Sequence, residues 1–398
     1  MKNIPLLMLL LRRQKALFFS ATLIFCSQLA FSQFKIRLQA IDLPANHATD
    51  SVFVGGNFNA WNPRKHGNLF SNEQAYIEIN DLPAGPYIFK FTRGNWQSVE
   101  CKKDGVDIGN RMLNLSSDTV ISFSVDAWKD DFAVVEKRHT ASSNVKIIDT
   151  AFIMPQLGRT RRIWLYLPPG YAKSKQKYPV MYMHDGQNIF DEYTSGFGEW
   201  GVDECLDSLI KRGKPACIIV GIDNGPQRLN EYNPYEFKDF GKGEGDKYVD
   251  FIVDDLKPFI DKHYRTLSSN QNTIIAGSSM GGLISYYAML KYPQVFGKGG
   301  VFSPAFWTAG KINELTDLAG KNLRGTLFFY IGGEEGERYV DDMHEVTEKL
   351  GTNSSALMYV VTDPDGKHNE QAWRKWFPEF CNWVLANGFN NIIDPDDD

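Results

Sequence analysis

The sequence has no block of Lys or Arg, and its net charge is −5 over 398 residues. A mildly acidic chain without a basic patch is a poor partner for nucleic acid. It has no Cys-x-x-Cys pair, and none of its seven histidines stands at metal-ligand spacing from a cysteine. No zinc site, other metal or cofactor is therefore expected. Beyond residue 32 no apolar run approaches the ~20 residues needed to cross a bilayer. No internal repeat is visible. Hydrophobic residues make up 43% and charged residues 23%, which excludes a largely disordered chain and a multi-pass membrane protein. Aromatic residues, by contrast, are plentiful at 13%, which suits ring-shaped ligands and large cores alike.

The start of the chain has its own composition. Lys2, Arg12, Arg13 and Lys15 are the charged residues of the first 32, and Ala16 to Leu29 is apolar. Ala30-Phe31-Ser32 then supplies small residues around a cleavage point. This is the pattern of a secretory signal peptide over 1–32, with Gln33 opening the exported protein and no membrane anchor left after cleavage. Cys101, Cys205, Cys217 and Cys381 remain. Export permits a disulfide, with Cys205 and Cys217 the nearest pair, and buried free thiols are equally compatible.

Two blocks follow. From 33 to 128 the chain reads as short strands, among them Ser51–Val54, Ala75–Ile79, Tyr87–Phe91 and Val120–Val125. Gly55-Gly56, Pro83-Ala84-Gly85-Pro86 and Arg93-Gly94-Asn95 read as turns between them. A small all-β sandwich is expected. Residues 129–145 are polar and aperiodic, as in a linker. Residues 146–389 alternate strands with helices. The strands are 162–167, 180–184, 216–222, 273–276, 326–331 and 357–361. The helices are 202–211, 247–263, 283–292, 340–350 and 370–385. Such alternation gives an α/β fold with a doubly wound, mostly parallel sheet. An acidic tail occupies 390–398.

The chemistry gathers in the second block. Gly277-Ser278-Ser279-Met280-Gly281 reads G-x-S-x-G, with a buried-type strand before it and a helix after it. That context marks a nucleophile elbow, with Ser279 presented at the corner. A serine needs a base, and the base needs an acid to orient it. In this architecture the order is Ser, acid, His. His47, His66, His139, His184 and His263 precede the serine and His344 lies within a helix, which leaves His368 in the loop 363–368. The acid follows the strand 326–331. Glu335 is favoured by its position in Gly332-Gly333-Glu334-Glu335, with Glu334, Glu337, Asp341 and Asp342 as competitors. The oxyanion hole needs two backbone N–H donors. Met280 follows the nucleophile, and Gln187, with Asn188 as the alternative, lies in the loop after the strand 180–184. There Gly186 is expected to permit an unusual turn, and His184 and Asp185 to be structural.

The segments Tyr178–Asn188, Val220–Asp223, Arg228 with Glu231-Tyr232, and Gly277–Gly282 together resemble one esterase family. It contains the enterochelin-esterase-like, feruloyl and acetyl-xylan esterases (carbohydrate esterase family one) and the S-formylglutathione hydrolases. The resemblance covers about 150–388. It implies an α/β-hydrolase fold, a metal-independent serine esterase mechanism, and Arg228 as a substrate contact. Glu at the acid position departs from the commoner Asp. The first block resembles starch- and glycogen-type carbohydrate-binding modules in Gly55–Pro63, Tyr87–Phe91, Trp96, Glu100 and Asn110-Arg111. By that resemblance Trp61, Lys90, Trp96 and Asn110 are sugar contacts. The expected function is an exported serine ester hydrolase acting on an acetylated or feruloylated carbohydrate. A siderophore trilactone esterase and a catalytically inactive glycan-binding protein are the alternatives.

Overall fold

The structure is a computed structural model that describes residues 33–59, 61–65, 76–132, 137–238 and 241–385. Residues 1–32, expected to be a signal peptide, His66, and the acidic tail at 390–398 lie outside the described residues. The chain divides into two compact units, Met1–Phe132 and Ala133–Asp398.

The first unit is built on two three-stranded sheets. One orders its strands Tyr76–Pro83, Gln33–Asp42, Thr119–Ser124, and the other Phe53–Gly56, Gly85–Thr92, Arg111–Leu115. Alternation buries one face of each strand, and Ile36, Leu38, Val54, Phe89, Phe91 and Phe123 form one apolar cluster from both sheets. Phe91 stacks on Phe123 with ring centroids 3.6 Å apart. Gly55-Gly56 is not a turn but the end of a strand. A Cβ on Gly55 would stand 2.8 Å from the Trp96 indole, so the glycine makes room for that ring.

The second unit carries an eight-stranded sheet. Its strands are β1 (Val145–Met154), β2 (Arg159–Tyr166), β3 (Val180–His184), β4 (Ile218–Ile222), β5 (Thr273–Ser278), β6 (Lys298–Phe302), β7 (Thr326–Gly332) and β8 (Leu357–Asp363). Their spatial order is β8-β7-β6-β5-β3-β4-β2-β1, with β1 and β2 antiparallel and β3 to β8 parallel. Parallel strands buried on both faces need no polar alternation, and β3, β4 and β5 are buried throughout. Ile275 packs into one apolar layer while Ile274 and Ala276 pack into the other. The helices Met280–Lys291 and Glu337–Asn353 cover the first layer, and Val202–Lys211 and Glu370–Leu385 the second. The expected helix 247–263 is two α-helical segments, Gly245–Phe251 and Lys257–His263, joined by a π turn at Ile252–Leu256 just before Pro258.

Two strands were not evident from the sequence. β1 buries only Met154 fully, so it shows little apolar pattern. β6 contains Gly299-Gly300, which reads as a turn. Here a Cβ at Gly300 would lie 2.5 Å from the Phe380 ring, and the helix over the sheet fits only against a bare strand. Gly300→Ala is expected to destabilise the protein by about 1–3 kcal/mol through overpacking. Urea unfolding checks this, and an unchanged midpoint would show that the ring moves freely aside.

The described parts of the polar stretch before β1 are hydrogen-bonded within the two units. Lys129–Asp131 forms a short helical turn in the first unit. In the second unit, Thr140 N–H donates to Asp191 at 3.1 Å and Ser142 N–H to Asp203 at 2.6 Å. All four cysteines among the described residues are free thiols.

Candidate active site

The site lies where parallel strands end at their carboxyl edge, as ligand sites in open α/β sheets do. β5 runs directly into the helix Met280–Lys291 through Ser279, which holds φ 58° and ψ −121°. This left-handed backbone is strained for a residue with a Cβ. It is fixed by three bonds: Ser279 N–H to Phe302 O at 2.9 Å, and Ser279 O accepting from Leu283 and Ala305, both at 3.0 Å. A Cβ at Gly277 would come within 2.9 Å of His184 and 3.0 Å of Gly281, so the corner closes only around a glycine. Ser279 is half-buried.

The loop after β8 carries His368, and the turn after β7 carries Glu335. His368 Nδ1 and Glu335 Oε2 are 2.7 Å apart. The other carboxylate oxygen accepts from the Ser303 hydroxyl at 2.5 Å and from Gly332 N–H at 2.8 Å. Trp373 N–H donates to Ser303 Oγ at 2.8 Å and meets the His368 ring edge-on at 5.2 Å. The Glu335 side chain is 3% exposed while that of His368 is 43% exposed, so Glu335 is interior and His368 reaches the surface. The competitor Glu334 points instead to Lys367, 3.2 Å away, and both are exposed. Ser303 and Trp373 were missed from the sequence. A tryptophan five residues past the histidine, in the first turns of the helix that follows it, was the available signal.

After β3 the chain turns through the short helical turn Gly186–Asn188. Asp185, not Gly186, takes the left-handed backbone there, at φ 58° and ψ 45°. Gly186 serves a different need, because a Cβ on it would sit 2.9 Å from the backbone of Gly221 and Ile222. Gln187 lies on this turn, its side-chain oxygen accepting from Asn224 N–H at 3.1 Å. Met280 is the first residue of its helix, so its N–H has no intrahelical acceptor.

Arg228 is placed behind this turn. Its guanidinium grips Asp185 bidentately, at 2.7 and 2.8 Å, and Asn224 donates to the same carboxylate at 2.6 Å. Burial raises the Asp185 carboxyl, but Arg228 outweighs that and holds it below the ordinary carboxylate range. The geometry therefore makes Arg228 first a partner of the turn bearing Gln187. Arg228→Lys keeps the charge and loses the fork. It is expected to lower kcat by roughly 10- to 100-fold with little change in KM, as for a displaced oxyanion donor. Steady-state kinetics on one ester decide this, and a rise in KM alone would make Arg228 a substrate contact. His184 lies under the elbow, its Nδ1 2.8 Å from the Tyr248 hydroxyl, and burial lowers its pKa to about 3. It stays neutral and structural. Among the described residues no His, Cys, Asp and Glu cluster has the geometry to hold a metal ion.

In the first unit Trp61 and Trp96 are brought together, ring centroids 6.0 Å apart, with Trp96 39% exposed. Gly55, over which Trp96 lies, pairs across the ladder with Lys90, so Lys90 shares that face. Asn110 precedes Arg111, the partner of Phe89, and is exposed at the same sheet end.

Residues 155–384 match the family described as Putative esterase. The chain is 33% identical over 250 residues to the uncharacterized protein YbbA of Bacillus subtilis, covering 58% of this chain and 95% of that one. It is 28% identical over 233 residues to an endo-1,4-beta-xylanase/feruloyl esterase of Xylanibacter ruminicola, covering 58% of this chain and 30% of that longer one. The crystal structure of the enterobactin esterase FES from Shigella flexneri superposes with a TM-score of 0.50 at 16% identity, over 88% of this chain and 92% of that one. At that identity the likeness is one of fold.

Proposed function

The chain belongs to the Putative esterase family and is a carboxylic ester hydrolase on an α/β-hydrolase fold, and we propose that it is exported and cleaves an acetylated or feruloylated carbohydrate through Ser279, His368 and Glu335. In this reading Ser279 Oγ attacks the ester carbonyl while His368 Nε2 takes its proton. Glu335 accepts from His368 Nδ1 and stabilises the imidazolium. The developing oxyanion takes hydrogen bonds from Met280 and Gln187 N–H. Collapse expels the alcohol, which leaves with the proton from His368, and an acyl-enzyme remains on Ser279. Water, deprotonated by His368, then releases the acid and restores the serine.

One observation carries this: a strained serine at the end of β5 shares a sheet edge with a hydrogen-bonded His368–Glu335 pair. The carbohydrate half of the reading is supported by the feruloyl esterase relative and by the Trp61–Trp96 face of the first unit. Export is supported by the composition of residues 1–32. The test is a panel of p-nitrophenyl, feruloyl and acetylated-xylan esters beside a catecholate trilactone. Turnover of the acylated sugars is expected. Preference for the trilactone would move the substrate to a siderophore, and a chain inert to all esters and to a fluorophosphonate would be a glycan-binding protein.

A further inference from the structure

The mechanism leaves one buried carboxyl unused beside the base. Glu370 opens the helix Glu370–Leu385, two residues past His368, and is 8% exposed. It feels the charges of His368, Asp185 and Arg228. Burial pushes its carboxyl up to about 7, partly offset by a hydrogen bond with its own backbone and by His368 and Arg228. Near neutral pH such a group both donates and accepts hydrogen bonds.

The second observation is a loop. It leaves the turn at Gln187-Asn188 and returns at Trp200 under close control. Thr194 Oγ donates to Gln187 O at 2.8 Å, Gly196 N–H to Asn188 Oδ1 at 3.0 Å and Trp200 N–H to Asn188 O at 2.9 Å. Ser195 Oγ bonds Gly198 O. This pinned loop nevertheless holds Phe197 84% exposed, between two glycines. Its next residue, Gly198, packs against the start of the helix Glu370–Leu385: a Cβ there would stand 3.8 Å from Glu370 Cβ. A pinned loop with an exposed ring, one residue from its contact with a helix start that carries a buried carboxyl, offers the two elements that grip a sugar-like ring: a face for its C–H surface and a polar group for its hydroxyls.

We propose that Phe197 and Glu370 form the subsite for the alcohol half of the ester, taking a hydroxylated ring of pyranose or furanose size. The alcohol side follows from the chemistry, since His368 hands its proton to the leaving oxygen and Glu370 lies two residues from His368 in the chain. The proposal rests on the acylated-carbohydrate reading above and assigns that substrate its contacts on the second unit.

The experiment compares two substrates with one acyl group, methyl ferulate and methyl 5-O-feruloyl-arabinofuranoside, on the full chain. The wild type is expected to favour the sugar ester in kcat/KM. Phe197→Ala and Glu370→Gln are each expected to reduce that preference by about tenfold, the scale of one lost hydrogen bond or ring contact. Melting curves accompany both variants, and exposed Phe197 supplies a variant whose folding is not in question. A wild type that prefers the sugar ester and variants that keep the full preference overturn the subsite alone. A wild type with no preference overturns the carbohydrate reading and the subsite with it.

Discussion

Replacing Ser279 with alanine is expected to lower kcat by about 10⁴- to 10⁶-fold and to leave folding intact. The size follows from the role: without Oγ no acyl-enzyme forms, and only positioning and the oxyanion donors remain. Folding is preserved because the three hydrogen bonds that fix the elbow all use the Ser279 backbone. Alanine also carries the same Cβ into φ 58°, so the strain is neither relieved nor increased. Steady-state kinetics and a melting curve on the purified variant check both halves. Near-normal hydrolysis would remove Ser279 from the chemistry.

His368→Ala is expected to be as damaging as Ser279→Ala, and the double variant to be little worse than either. Residues that act as one unit do not add, since the loss of the base already silences the nucleophile. Glu335→Gln keeps the shape and loses the charge that accepts from Nδ1. It is expected to cost about 10³- to 10⁴-fold, less than the base itself, because the imidazole remains but is wrongly oriented or protonated. Kinetics of the three single variants and the Ser279/His368 double variant read this directly. Additive losses, or an active His368→Ala beside an inactive His344→Ala, would contradict the assignment. In the structure His344 is occupied elsewhere, its Nε2 2.8 Å from the Thr362 hydroxyl.

The elbow is legible in the sequence because three local signals coincide there: a buried run, paired glycines and a helix start. β3, β5 and the helix Val202–Lys211 are legible for the same reason, their patterns being set by burial within a few residues. β6 is not, because its Gly300 answers to Phe380, some 80 positions away in the chain, and no local pattern records that. β1 escapes notice as an edge strand with one buried residue. The acid shows the same limit. Glu334 and Glu335 are adjacent and chemically alike, and only the fold separates them, turning one toward Lys367 and the other onto His368. The partner of Arg228 was not legible, since Asp185 lies 43 positions before it. Phe197 and Glu370 carry no motif of their own and become visible only through exposure on one and burial of the other.

The central claim is that Ser279 is the nucleophile activated by His368. Its most direct test is to treat the full chain with a fluorophosphonate and locate the adduct by peptide mass spectrometry. The account predicts a single stoichiometric adduct on Ser279 that is lost in His368→Ala. An adduct on another residue, or ester hydrolysis that persists in a fully labelled chain, would contradict it.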